Sequence, residues 1–120
     1  MTLDDLRGLP SFVYLATPYS RYRWGLASAV YDAERHAAHL IGLGLRVFSP
    51  IAHSHTIARV GGIDPLSHAI WMRQNQPFMD AASAMVAVRM DGWRESVGMA
   101  MEAEFFQSAG KPIVEMEALP

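Results

Sequence analysis

The sequence predicts one α/β domain over residues 1–120, a three-layer, doubly wound parallel sheet of four to five strands of the flavodoxin or Rossmann-like type. Three observations indicate this class. Short apolar segments alternate with longer segments of helical spacing, which is the pattern of βαβ units. Polar residues follow three of the expected strands. A length of 120 residues suits a single compact domain.

The first three elements form a βαβ unit. An apolar run at Ser11–Thr17 predicts a buried strand, and apolar residues at helical spacing predict a helix over Arg23–Leu43. Gly42 and Gly44 provide its stop signal, and Leu45–Ser49 predicts the second strand. Two strands joined through a helix lie parallel, so we expect a right-handed crossover between them.

The middle of the chain is less regular. Proline, glycine and two alternate histidines in Ile51–Pro65 predict a loop containing a helical turn at most. Asp64 or Ser67 would cap a helix that runs to about Ala81. The proline at the end of the loop would then lie in the first turn of this helix. Pro77 falls inside this pattern and should kink or split the helix.

The last elements repeat the alternation. Ala84–Arg89 predicts a third strand, Glu95–Gly110 a helix, and Pro112–Glu115 a fourth strand. In open α/β sheets, ligands bind outside the carboxyl ends of the strands. We therefore expect one site to be formed by the polar segments that follow the strands, which are Thr17–Arg23, Ser49–His55 and Asp91–Ser96.

Composition excludes several classes of partner. The net charge of −2 and the pI of about 6.2 provide no basic field for a nucleic-acid polymer or an anionic membrane surface. The chain has no cysteine, so we expect neither a disulfide framework nor thiol chemistry. The amino-terminal segment is unlike a secretory signal, and no apolar run approaches the length of a membrane helix. We expect a cytoplasmic protein.

The segment Asp91–Ile113 carries the most specific signal. Glu102 lies four residues after Gly98, so the two share one face of the expected helix, one turn apart. Gly98 leaves room for a ligand to reach the carboxylate, although packing against a strand explains it equally well. Ser96 caps the helix, contacts a phosphate, or does both, because a cap faces the free N–H groups at a helix N-terminus that favour anions. Without these neighbours, a surface acid would be the default interpretation of Glu102.

Several motifs together resemble a known superfamily. YLATPYS at 14–20 looks like the opening strand and loop of the nucleoside 2-deoxyribosyltransferase-like superfamily, which includes the deoxynucleoside 5′-monophosphate N-glycosidases. SVGMAMEAEFFQSAGKPI at 96–113 looks like its nucleophile helix. With VFSPIAHSH and GWRESVG, the chain more narrowly resembles a small bacterial and phage-associated group described as a domain of unknown function. The resemblance covers roughly residues 12–114.

This resemblance implies roles for individual residues. By position, Glu102 matches the nucleophile, and Ser96 and Gly98 match a loop that binds phosphate or sugar. Tyr14 and Tyr19 fall in the segment that frames the sugar. The resemblance also implies a homodimer or higher homo-oligomer in which a neighbour completes the pocket.

Further candidates follow the same strands. By the resemblance, Asp91 is near an acid that orients the substrate; otherwise it is the polar end of a strand. Arg21 would bind a 5′-phosphate as a fork-shaped donor, or it is a solvated loop charge. Trp93 would stack on a base or pack in the core or an interface. The remaining candidates for substrate binding are Ser20, His53 and His55. No acid or cysteine accompanies these histidines at ligand spacing, so we expect no metal site.

We therefore expect an enzyme that cleaves or transfers the N-glycosidic bond of a 2′-deoxynucleoside or its 5′-monophosphate. Glu102 would be the nucleophile and form a covalent deoxyribosyl intermediate, without a metal or an organic cofactor. Its partner would be a small nucleoside or nucleotide. The alternative is a non-catalytic nucleotide sensor of the same fold. Two departures from the narrower group favour it, because Asn75 follows Trp71 where that group carries an acid, and Ser83 replaces another acid.

Overall fold

The computed structural model describes residues 1–120. Its strands are β1 (Val13–Ala16), β2 (Val47–Phe48), β3 (Ala84–Arg89) and β4 (Ile113–Glu117). Its helices are α1 (Leu3–Leu6), α2 (Leu26–Gly42), α3 (Pro50–Gly61), α4 (His68–Ala81) and α5 (Val97–Ser108). All strands are parallel, in the order β2-β1-β3-β4. The predicted single α/β domain with a doubly wound parallel sheet is confirmed.

The chain leaves β1 and β3 in opposite directions across the sheet. From β1 it passes through α2 to the edge strand β2, and from β3 it passes through α5 to the other edge strand, β4. Since such crossovers are right-handed, α2 and α5 cover opposite faces. A crevice therefore opens at the carboxyl ends of β1 and β3, where doubly wound proteins bind ligands.

Side chains of the strands alternate between two cores. Val13 and Leu15 of β1 pack with Leu40 of α2 on one face of the sheet. Tyr14, between them, points to the other face, where it packs with Phe106 of α5 and with residues of α4. This alternation follows from the two-residue period of a strand. It places the Tyr14 ring between the sheet and the helices that form the candidate site.

The segment Ile51–Pro65 is largely helical, so the predicted loop is wrong. Ser49 caps α3 by accepting a hydrogen bond from the Ala52 N–H at 3.2 Å. Pro50 is the first residue of the helix, and Gly62 ends it in the left-handed region at a φ of 66°. The proline and glycines that suggested a loop mark the two ends of the helix and do not interrupt it.

The boundaries of α4 also differ from the expectation. Its cap is Ser67, which accepts a hydrogen bond from the Ile70 N–H at 3.4 Å. Asp64 instead closes a turn by accepting from the Leu66 N–H at 3.0 Å, so the proline between them lies outside the helix. The split expected at Pro77 does not occur, and the helix is continuous. Pro77 is exposed, and water can replace the missing helical hydrogen bond there.

Candidate functional site

Glu102 is buried on the side of α5 that faces the sheet. Ser96 begins this helix as its cap, because its Oγ accepts a hydrogen bond from the Met99 N–H at 3.2 Å. Glu102 follows Met99 by three residues and precedes Phe106 by four, so the three share the face that packs on the sheet. Only 7% of Glu102 is exposed. This burial excludes the interpretation of Glu102 as a surface acid.

The Tyr14 hydroxyl holds the carboxyl group of Glu102. It donates a hydrogen bond to Oε2 at 2.5 Å. Burial raises the pKa of Glu102 from 4.5 to about 7, against the lowering effect of that hydrogen bond. Burial and the neighbouring carboxyl raise the pKa of Tyr14, so the phenol keeps its proton and remains the donor. Glu102 is therefore a carboxyl group that changes charge near neutral pH, an uncommon property typical of functional sites.

Two polar atoms beside this pair are buried without a partner. They are Oγ1 of Thr17 and Oδ1 of Asn75, in residues that are 3% and 7% exposed. Asn75 lies near Tyr14 and acts to lower the pKa of the phenol. Buried polar atoms almost always have a hydrogen-bond partner. Their presence here indicates that a ligand or ordered water belongs beside Glu102.

Thr17, Asn75 and Glu102 line one cavity of about 70 Å³ at the carboxyl end of β1. This volume holds two or three water molecules at about 30 Å³ each. It is smaller than the roughly 300 Å³ at which sites for small molecules begin, so it encloses only part of a ligand. The cavity is lined by Thr17, Tyr19, Ser20, Pro50, Ile51, Ser54, Pro65, Leu66, Ser67, His68, Trp71, Met72, Asn75, Ser96, Gly98, Met99 and Glu102.

Five of the residues singled out in the sequence line this cavity: Tyr19, Ser20, Ser96, Gly98 and Glu102. Tyr14 does not line it and reaches it through its hydrogen bond to Glu102. Gly98 has room for a methyl group beside it. Outside its own helix backbone and chain neighbours, a Cβ at this position would come within 4 Å only of His68 and Ser96, the nearest atom being Cε1 of His68 at 3.9 Å. No strand approaches it, so packing against the sheet does not explain this glycine.

The two histidines of α3 have different relations to the cavity. Nδ1 of His55 is hydrogen-bonded to the Tyr19 hydroxyl at 2.5 Å, so His55 reaches the cavity through Tyr19. His53 packs against Phe48 and Phe78, with ring centroids 5.6 and 6.1 Å away. Neither histidine lines the cavity itself.

Asp91 and Trp93 lie away from this cavity. The backbone N–H of Trp93 donates a hydrogen bond to the Met90 carbonyl at 3.0 Å and closes a tight turn directly after β3. Because of this turn, the side chains of Asp91 and Trp93 lie in different places. Asp91 is exposed and lines a separate cavity with Tyr22. Trp93 lies in an open groove along α5, where its ring centroid is 5.2 Å from the Arg94 guanidinium.

Arg21 is exposed, and no lysine or arginine lines the cavity. The backbone of Arg21 nevertheless contacts the loop that follows β3. A Cβ at Gly92 would lie 2.4 Å from the Arg21 carbonyl oxygen, so the loops after β1 and β3 are in close backbone contact. The φ of Gly92 is 82°, in the left-handed region that glycine adopts without strain.

One wall of the cavity was not predicted from the sequence. His68, Trp71 and Asn75 lie on one face of α4, at three- and four-residue spacing. Exposure falls along this face from His68, which is exposed, through the half-buried Trp71 to the buried Asn75. The Trp71 indole donates to the Asp64 carbonyl at 2.9 Å and so ties down the loop before α4. The spacing of these three residues can be read from the sequence. The packing of this face toward Glu102 cannot, because it is a long-range contact.

Two further observations concern the whole chain. No three side chains of histidine, cysteine, aspartate or glutamate converge as a metal site would require. None of the helices combines the length and the apolar character that crossing a bilayer demands.

A family model described as "Domain of unknown function (DUF1937)" matches residues 11–118. The chain belongs to this family. The match includes all four strands and every wall of the cavity. It agrees with the narrower of the two resemblances seen in the sequence. No match was found among curated proteins. The description of DUF1937 assigns no activity.

Proposed function

We propose that this protein cleaves or transfers the N-glycosidic bond of a 2′-deoxynucleoside, with Glu102 as the nucleophile. The observation that carries this proposal is the buried Glu102 carboxyl group, which accepts a hydrogen bond from Tyr14 at 2.5 Å. It lies in one cavity with two polar atoms that have no hydrogen-bond partner. A buried titratable group in such a cleft is a candidate catalytic group. The resemblance of residues 96–113 to the nucleophile helix of the nucleoside 2-deoxyribosyltransferase-like superfamily supports the same role.

In this mechanism, Glu102 reacts through Oε1, because Oε2 accepts the hydrogen bond from Tyr14. The ionised carboxylate attacks the anomeric carbon as the base leaves, and a covalent deoxyribosyl intermediate forms. Water or a second base then attacks the same carbon and releases the carboxylate. Tyr14 orients the carboxylate and stabilises its charge as it is released. With a pKa of about 7, Glu102 is available as the anion at and above neutral pH.

The unpartnered atoms suit a sugar. Oδ1 of Asn75 accepts hydrogen bonds, and the hydroxyl of Thr17 both donates and accepts, so together they satisfy a ligand hydroxyl group. Since the cavity of about 70 Å³ encloses less than a nucleoside, the base extends toward the mouth, past Gly98.

A 5′-phosphate has little support from this geometry. Arg21 lies outside the cavity, and the Ser96 oxygen already caps α5. The partial positive charge at the start of α5 is the remaining attraction for an anion, and it lies one turn from the Glu102 carboxyl group. We therefore propose that the unphosphorylated nucleoside is the better substrate.

The second candidate is a non-catalytic nucleotide sensor. One observation favours it: Glu102 is the only carboxylate that lines the cavity, and Asn75 lies on its wall where the narrower group carries an acid. Such a site would bind a nucleoside through the same polar atoms without breaking its glycosidic bond.

Base release measured by chromatography tests the proposal. Deoxynucleosides and their 5′-monophosphates would be incubated with wild type, Glu102→Gln and Glu104→Gln, with and without a free acceptor base. Glu104 is the matched control, because it is an exposed carboxylate on the same helix. We expect release by wild type and Glu104→Gln only, with a preference for nucleosides. Ligand binding by thermal shift without any release would instead support the sensor.

A further inference from the structure

We propose that His68 is the general acid that protonates the departing base, an assignment that rests on the proposed glycosidic reaction. A nucleobase is a poor leaving group as an anion, so its departure is assisted when a ring nitrogen is protonated as the bond breaks. The reaction thus needs an acid as well as a nucleophile. Only three side chains that line the cavity titrate in water: Glu102, Tyr19 and His68.

Two of these three are unsuited to the task. Glu102 is at the buried end of the cavity and serves as the nucleophile. The Tyr19 hydroxyl is hydrogen-bonded to His55 at 2.5 Å, and burial raises the pKa of Tyr19, so it is a weak acid at neutral pH. His68 is exposed, and histidine is the side chain that most often serves as a general acid in enzymes.

The imidazole is placed for this role relative to the carboxylate. Its Cε1 lies 3.9 Å from the position that a Cβ would take at Gly98. Gly98 precedes Glu102 by one helical turn, a rise of about 6 Å. A nucleophile in position to react is about 3 Å from the carbon it attacks. The base therefore lies beside Gly98, within reach of the His68 ring.

The exposure gradient along α4 indicates the same direction. Asn75 is at the buried end of this face, Trp71 is half-buried in the middle, and His68 is at the mouth. A sugar beside Asn75 and Glu102 therefore directs its base along Trp71, whose ring offers an aromatic surface for stacking. His68, one turn further, meets the edge of that base.

The chemistry balances over two half-reactions. In the first, a Glu102 oxygen bonds to the anomeric carbon while the carbon–nitrogen bond breaks and its electron pair passes into the base. The His68 imidazolium gives a proton to a ring nitrogen, so the base leaves neutral and His68 becomes neutral. In the second, water attacks the same carbon and gives a proton to His68 as the bond to Glu102 breaks. The carboxylate and the imidazolium are thereby restored.

A substrate whose base needs no proton separates this role from a structural one. In 7-methyl-2′-deoxyguanosine the base already carries a positive charge and leaves as a neutral molecule, whereas 2′-deoxyguanosine requires protonation. For His68→Asn we expect base release from 2′-deoxyguanosine to fall by about 100-fold or more, while release from the methylated nucleoside stays within a few-fold of wild type. Tyr19→Phe, the control, should change both rates alike, and Glu102→Gln should abolish both.

Retained release from the methylated nucleoside also shows that the variant is folded, and His68→Gln is measured in parallel to exclude a defect particular to asparagine. Equal losses on the two substrates in both His68 variants, or no loss on either, would overturn the assignment of His68 and leave Glu102 as the nucleophile. If wild type released neither base, the proposed function itself would fail, and the assignment of His68 would fail with it.

Discussion

Glu102→Gln should make the protein more stable than wild type at pH 8 and about equally stable at pH 4.5. Glutamine has the shape of the protonated glutamic acid, and its carbonyl oxygen can accept the Tyr14 hydrogen bond that Oε2 accepts now. Unlike glutamic acid, it stays neutral at every pH. The difference in unfolding free energy between the two proteins therefore reports the ionisation of Glu102 alone.

The magnitude follows from the pKa. Folding raises the pKa of Glu102 from 4.5 to about 7, so the folded state holds this proton more tightly than the unfolded chain does. The stabilisation is fully present below pH 4.5 and is lost as the pH rises through 7. At about 1.4 kcal/mol for each pKa unit, wild type loses about 3 kcal/mol relative to the variant. For a domain of this size the loss corresponds to roughly 10 °C in the unfolding midpoint.

Urea unfolding of wild type, Glu102→Gln and Glu104→Gln between pH 4.5 and 8 measures this difference directly. We expect the gap between wild type and Glu102→Gln to open across the interval, and Glu104→Gln to follow wild type. A gap that stays constant with pH would refute the reasoning, because Glu102 would then ionise alike in the folded and unfolded chains.

Three other substitutions have distinct expected outcomes. Tyr14→Phe removes the hydroxyl that stabilises the Glu102 carboxylate, so the half-maximum on the acidic limb of the pH–rate profile for base release should move above pH 7. Gly98→Ala should stabilise the unliganded protein in urea by about 0.5 kcal/mol, because its methyl group fits and alanine favours the helix. The same methyl group should weaken nucleoside binding by thermal shift, and unchanged binding would remove Gly98 from the site. Gly92→Ala should lower the unfolding free energy by about 2 kcal/mol or more, because its Cβ would meet the Arg21 carbonyl oxygen at 2.4 Å.

Much of the fold could be predicted because its signals are local. The strand at Ala84–Arg89 has the same bounds in the sequence-based prediction and in the structure, since a continuous apolar run is the mark of a buried parallel strand. The failure at α3 has a local explanation too. Proline at the first position and glycine after the last suit a helix, but the same residues are also typical of loops, so residue type alone does not distinguish the two.

The candidate site could be predicted only on the α5 side. Ser96, Gly98 and Glu102 lie close together in the sequence, so helical geometry alone relates them. The burial of Glu102 depends on the packing of α5 against β1, where Tyr14 is 88 residues away in sequence. Asn75 completes the group through a third element, and no local pattern relates it to the other two.

The turn after β3 explains why Asp91 does not line the cavity beside Glu102. An acid directly after a strand that leads into the site was expected to face the same crevice. The tight turn from Met90 to Trp93 instead directs Asp91 toward Tyr22, in a different cavity. The direction of a side chain in such a turn depends on backbone angles, here on the left-handed Gly92, which the residue types alone do not determine.

The central claim is that Glu102 forms a covalent bond to the sugar. Mass spectrometry of the protein incubated with a 2′-fluoro-2′-deoxynucleoside tests it directly, because the fluorine slows release of the sugar from an ester and lets an intermediate accumulate. We expect the mass of one fluorodeoxyribosyl group to be added, to map to the peptide containing Glu102, and to be absent in Glu102→Gln. Base release without such an adduct, or with an adduct on another residue, would contradict the account.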